Sequence, residues 1–195
     1  IVNFEVLQLE ANAVYDLAGY DWVEEFVVNA DVTGAKTIDN IGADTDVTLA
    51  VDTTSIDLSH VDAGGTGTQS MTVNLGRDAA VDTALSVDGI ESVTLNSTGD
   101  AANTLSDFDA DALRDLTITG DQDLKITLVE DIGNSLDASA FSGDLDVDLA
   151  TTSAQATAAI IESGSGDDTI TVDAGAQLSH DVTLGEGEDT FEVLN

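Results

Sequence analysis

Two stretches in the last third of the chain set glycines against carboxylates at a spacing that suits a hard cation. They are Ser163-Gly164-Ser165-Gly166-Asp167-Asp168-Thr169-Ile170-Thr171 and Leu184-Gly185-Glu186-Gly187-Glu188-Asp189-Thr190-Phe191-Glu192. Both follow the pattern G-G-x-G-x-D-x-U-x, with U apolar, apart from serine or leucine in the first place. Glycines permit tight turns and let carbonyl oxygens approach an ion. The aspartate adds an anionic oxygen, and calcium takes roughly six to eight oxygens. The expected ligands of a Ca2+ ion are therefore Asp168 and Asp189, with Asp167, Glu188 and the turn glycines Gly164, Gly166, Gly185 and Gly187 around them. The loops lie 21 residues apart. Two nonapeptides make a coil of about 18 residues, so stacking these loops calls for an insertion near Ala176-Gln177-Leu178.

A third loop, Gly64-Gly65-Thr66-Gly67-Thr68-Gln69-Ser70-Met71-Thr72, keeps the glycines but has Gln69 where Asp168 stands. Glutamine offers a neutral carbonyl and no charge, so the turn is expected to persist with its ion lost or weakened. Asp107-Phe108-Asp109-Ala110-Asp111 imitates the start of an EF-hand. However, Ala112 replaces the glycine at its sixth position and Ile118 the glutamate at its twelfth, so it reads as a solvated acidic turn. His60 and His180 stand apart, with no G-x-S-x-G beside them, and read as surface residues. No P-loop or dinucleotide fingerprint occurs.

The elements holding these loops must be short strands. Thirty-nine acids face four bases, a formal charge of −35, with no proline or cysteine and only eight aromatics. Such a surface repels nucleic acid and anionic membranes, and no apolar run reaches the ~20 residues of a membrane-spanning helix. Cysteine's absence removes disulfides and thiolate metal sites. Abundant Thr, Val, Ile, Asp and Gly favour strands separated by turns. In Asp144-Leu145-Asp146-Val147-Asp148-Leu149 the alternation puts the leucines and valine on one face and the aspartates on the other. Segments 10–19 and 104–115 read as a helical turn or two.

Self-comparison suggests repetition. Phe4-Glu5-Val6-Leu7-Gln8-Leu9 aligns with Ile90-Glu91-Ser92-Val93-Thr94-Leu95, and Val32-Thr33-Gly34 with Ile118-Thr119-Gly120, both at an offset of 86. Residues 46–55 align with 144–153 at 98, and 64–73 with 163–172 at 99. The chain ends on Phe191-Glu192-Val193-Leu194, repeating Phe4-Glu5-Val6-Leu7. The expected organisation is a first unit over 1–86, a second over 87–189 carrying the good glycine loops, and the start of a third at 190–195, a slice of a longer array. An all-β parallel β-solenoid or β-roll is expected, with tandem β-sandwich modules as the alternative.

The nonapeptide loops resemble those of RTX (repeats-in-toxin) proteins, which form calcium-filled parallel β-rolls and leave bacteria by type I secretion. The cadence of Ile90 to Leu128 is similar to bacterial surface-layer proteins of the RTX-bearing kind, whose solenoid units assemble into calcium-dependent lattices. The resemblance implies a non-enzymatic, extracellular module at the bacterial cell surface. Its implied partners are other copies of itself, in a lattice or filament, and possible cell-surface polysaccharide. An adhesin module that uses calcium to bind a glycan or host ligand is the second expectation. A solenoid enzyme acting on neutral polysaccharide is the third. Trp22, near Tyr20, is the residue that would stack on a sugar.

Overall fold

The computed structural model describes residues 14–20, 23–28, 32–42, 45–62, 65, 67–130, 132–149, 158–173 and 180–194. The aligned stretch 4–9, Trp22 and the expected insertion at 176–178 lie outside them. The described residues contain seventeen strands. In the first half these are β1 (Val14–Asp16), β2 (Glu25–Val28), β3 (Val32–Ile41), β4 (Asp46–Leu49), β5 (Thr53–His60), β6 (Ser70–Leu75), β7 (Asp82–Asp88) and β8 (Ser92–Ser97). Then follow β9 (Asn103–Asp109), β10 (Asp115–Gly120), β11 (Leu124–Leu128), β12 (Ser135–Asp137), β13 (Leu145–Asp148), β14 (Ile160–Glu162), β15 (Thr169–Asp173), β16 (Asp181–Thr183) and β17 (Thr190–Leu194).

Odd-numbered strands form one nine-stranded sheet and even-numbered strands an eight-stranded one, each in sequence order and with every pairing parallel. The chain is therefore a parallel β-solenoid in which each coil contributes one strand to either sheet. The tandem-sandwich alternative is not what is found. A parallel pair of strands must be joined by a crossover, and here the crossover is the opposite strand of the same coil.

Inward positions stack into aliphatic columns. Val73 pairs with Leu95 and Leu95 with Ile118, while Met71, Val93, Leu116, Leu136 and Ile161 form the column beside them. All are buried. With so few aromatics, each coil adds a thin layer of Val, Leu and Ile, worth about 1.5–3 kcal/mol per fully buried side chain. Each residue type suits the position: β-branched and leucine side chains fill the inside, and Ser, Thr, Asn and Asp meet water outside.

Three expectations are corrected. Segment 104–115 is not helical but holds β9. A bulge shifts the register of β9 against β11 between Ile126 and Leu128, so the buried Leu105 and Phe108 sit three apart and imitate a helical stripe. Segment 10–19 contains β1. The pitch needs no insertion: Leu124 pairs with Leu145 and with Asn103, 21 residues away on either side, as do Thr169 and Thr190. Segments matched at the larger offsets fall on opposite sheets, β4 against β13 and β6 against β15, because both halves of a coil share one apolar alternation.

Candidate functional site

The eight residues expected to bind calcium come together at one corner of the solenoid, on the coils entering β15 and β17. Here successive backbones touch. A Cβ on Gly164 would stand 2.0 Å from the Phe141 carbonyl oxygen, and one on Gly185 1.7 Å from that of Gly164. Gly166 and Gly187 are confined in the same way by Gly143 and Gly166. Of these four only Gly187 has a positive φ, 134°. Close approach of coil to coil, more than turn conformation, demands glycine here. The Gly164 carbonyl accepts the Glu186 N–H at 3.0 Å, and the Phe141 carbonyl the Ser165 N–H at 3.1 Å.

Two columns of carboxylates run along this corner. The inner one contains Asp168, with no exposed surface. Its Oδ1 accepts the Leu145 N–H at 3.0 Å and its Oδ2 the Gly164 N–H at 3.2 Å. Burial holds the Asp168 carboxyl above the usual carboxylate range. Hydrogen bonds from the Ser163 hydroxyl and the Leu145 and Gly164 amides pull it back, while Asp189 pushes it further up. The Asp168 N–H in turn donates to Asp189 Oδ1 at 3.0 Å. The outer column is exposed: Asp123 Oδ1 accepts the Asp144 N–H at 3.0 Å, Asp144 Oδ1 the Asp167 N–H at 2.8 Å, and Asp167 Oδ1 the Glu188 N–H at 2.8 Å. An open groove of about 220 Å³ follows this column, lined by Asp123, Lys125, Asp144, Asp146 and Asp167. Lys125 pairs with Asp146 across it.

The donor chemistry tests the expected ion residue by residue. Asp168 receives one backbone N–H on each oxygen, so an ion bound there would share a carboxylate that already ties the Leu145 and Gly164 amides. Among the described residues no three His or acidic side chains converge on one point. The carboxylates of the outer column are exposed and stacked about 4.8 Å apart by the strand spacing, and Asp123, Asp144 and Asp167 each take a backbone N–H on Oδ1.

Gln69 sits at the entry to β6, in the other sheet from Asp168. Its N–H donates to Glu91 Oε2 at 2.8 Å, and its own Oε1 is buried without a partner. Residues that sequence reasoning missed do similar work elsewhere. Asn103 occupies the register position of Asp168 three coils earlier in the inner column and is buried. Its Oδ1 takes the Val81 N–H at 2.8 Å and its amide reaches Ser97 Oγ at 2.8 Å. The recurring triplets Asn103-Thr104-Leu105, Asp168-Thr169-Ile170 and Asp189-Thr190-Phe191 were the available signal. Lys36, also unforeseen, points into the core, where its ammonium donates to the Gly34 carbonyl at 2.6 Å.

His60 is not a surface residue, being 5% exposed. Its Nδ1 accepts the Asp62 N–H at 3.0 Å, and its Nε2 is buried without a partner. His180 Nδ1 likewise accepts the Ala159 N–H, from the preceding coil, at 3.2 Å. A ring nitrogen that accepts carries no proton, so both hydrogen-bond patterns assign the proton to Nε2. Each imidazole is used to tie backbone. Asp107 and Asp109 lie in β9, while Asp111 Oδ1 accepts the Gly89 N–H at 2.8 Å, a turn cap in place of an ion loop. Compared with known protein families, curated proteins and solved structures, the chain matches none.

Proposed function

We propose that this chain is a non-catalytic structural segment of a secreted bacterial surface protein of the surface-layer kind, held in shape and assembled outside the cell with calcium as counter-ion. The observation that carries the reading is the outer column Asp123, Asp144, Asp167 and Glu188, four exposed acids on four successive coils. Two unit charges ~4.8 Å apart repel by about 1 kcal/mol in water and more near a protein surface. A divalent cation among them turns that repulsion into attraction. Each ion would lie between neighbouring members of the column, Asp144 with Asp167 or Asp167 with Glu188, and water would complete its shell. Extracellular calcium modules bind at about 10⁻⁴–10⁻³ M, which is consistent with an ion that is abundant outside cells. Calcium at ten times Kd adds about 1.4 kcal/mol per site, and at a hundred times about 2.7.

Melting the protein in chelator and in millimolar calcium tests this. The expected result is a higher Tm with calcium, lost in the Asp144→Asn, Asp167→Asn double variant. Identical curves for the wild type would sink the calcium reading.

A further inference from the structure

The two outer faces of one run of coils differ in kind. On the second sheet, β6, β8 and β10 display Ser70, Thr72 and Asn74, then Ser92, Thr94 and Asn96, then Asp115, Thr117 and Thr119, in register. Hydrogen bonds run along the axis through this face. Asn74 donates to Thr48 at 3.4 Å, Asn96 to Asn74 at 3.0 Å, and Thr119 to Asn96 at 3.2 Å. In a chain with 39 acids, this patch carries one, Asp115. Both arginines are exposed beside it, Arg114 just before β10 and Arg77 just after β6. On the first sheet the same coils present Asp39, Asp57, Asp88, Asp107 and Asp109 from β3, β5, β7 and β9. Ser59 and Ser86 donate to Asp39 and Asp88, each at 3.0 Å.

We propose that these faces are complementary docking surfaces, the donor-rich face of the second sheet receiving the carboxylate face of the first sheet of a second copy. The inference rests on the reading of the chain as an assembling segment and names the surfaces that assemble. Carboxylates only accept hydrogen bonds, whereas hydroxyls, amides and guanidinium groups donate. Both faces repeat at the same coil rise of about 4.8 Å, so a donor column on one copy stays in step with a carboxylate column on the next. The Asp57 and Asp109 carboxyls are held above the usual range by partial burial and by neighbouring aspartates. Donors or arginines brought against them relieve that repulsion. Carboxylate face against carboxylate face sets acid against acid, and donor face against donor face brings Arg114 no carboxylate column; Arg77 already has Glu25 at 3.8 Å.

Because the two faces are different, the contact is heterologous and leaves a free face at each end, which adds copies without closing. Three strands by six residues cover about 300 Å² per partner, below the roughly 800 Å² of a standard interface. One contact is therefore weak, and rows of them hold. Sedimentation velocity and light scattering across protein concentration test the proposal, in chelator and in calcium. The wild type is expected to grow with concentration. Thr94→Asp with Thr117→Asp, and separately Asp88→Ala with Asp109→Ala, should weaken association at least tenfold with circular dichroism unchanged. Each variant keeps one good face, so an equal mixture should stop at a 1:1 dimer. A monodisperse wild type at all concentrations, a closed dimer, or a mixture that stays monomeric overturns the proposal. Loss of growth with the calcium-dependent Tm intact removes only the docking surfaces; a calcium-independent Tm with growth intact removes only the ion.

Discussion

The corner around Asp168 and the corner around Gln69 share a glycine signature and do opposite things with it. At Asp168, coils press backbone on backbone, and a buried carboxylate collects two amides and a hydroxyl. At Gln69, an amide oxygen is buried without a partner, and a Cβ on Gly67 would meet only the tip of the Gln69 side chain, at 3.4 Å. The lesson is that glycines in such a loop report how closely coils approach, while the residue five places after the first glycine position reports how the corner's amides are satisfied. A buried amide needs an acceptor whether or not an ion is present.

That contrast can be broken by substitution, most severely at the glycines. Gly164→Ala forces a Cβ into the Phe141 carbonyl and should cost about 3–5 kcal/mol or abolish cooperative unfolding. Gly67→Ala should stay within about 1 kcal/mol, and urea titration of both measures the gap. Next, Asp168→Ala strands the Leu145 and Gly164 amides. At about 1–3 kcal/mol for each buried unsatisfied group, the loss should reach roughly 2–6 kcal/mol in chelator as well as in calcium, whereas Gln69→Ala should cost under about 1. Equal losses at the two corners would erase the distinction.

Calcium sharpens the comparison from the other side. Removing it should lower stability by about 1.4–2.7 kcal/mol in the wild type and in Gln69→Ala alike, and change little in Asp144→Asn, Asp167→Asn. A calcium effect that instead vanishes in Asp168→Asn would return the ion to the inner column.

The smallest effect concerns a carboxylate that lacks the donors Asp168 enjoys. Partial burial, then Asp88, Asp39 and Asp109, hold the Asp57 carboxyl above its usual range. Its folded pKa therefore exceeds its unfolded one, so the folded state takes up a proton first as pH falls. The stability it contributes is complete below the ordinary carboxylate value of about 4 and is lost as pH rises through the raised one. Asp57→Asn should be slightly more stable than wild type at pH 7, with the difference shrinking toward pH 4. A constant difference across that window would show that like-charge repulsion is not its source.

How far the sequence told this in advance depended on whether a strand's apolar period was intact. Ser70-Met71-Thr72-Val73-Asn74-Leu75 and Ser92-Val93-Thr94-Leu95-Asn96-Ser97 alternate cleanly, and the solenoid class follows from such stretches. β9 does not alternate, because its bulge puts Leu105 and Phe108 three apart, the spacing of a helical stripe. The 22-residue step between Ser70 and Ser92 was present in the letters but masked by longer offsets, since Val, Leu and Thr recur in both sheets. The site was half legible. The glycine loops do stack, and the inner aspartate also ties two backbone amides, a role that no one-dimensional pattern of letters reveals. His60 was misjudged for a similar reason: a lone imidazole gives no hint that the backbone will fold over it.

The coil step, 21 residues from β11 to β13 and from β15 to β17, also makes the molecule a series of springs. Held at its two ends, it bears load through one coil-to-coil junction after another, since each coil is bonded only to its neighbours. A coil that lets go exchanges a rise of about 4.8 Å for some 70 Å of extended chain. A sheath woven from such segments would lengthen in steps under osmotic or shear stress and shed load one junction at a time.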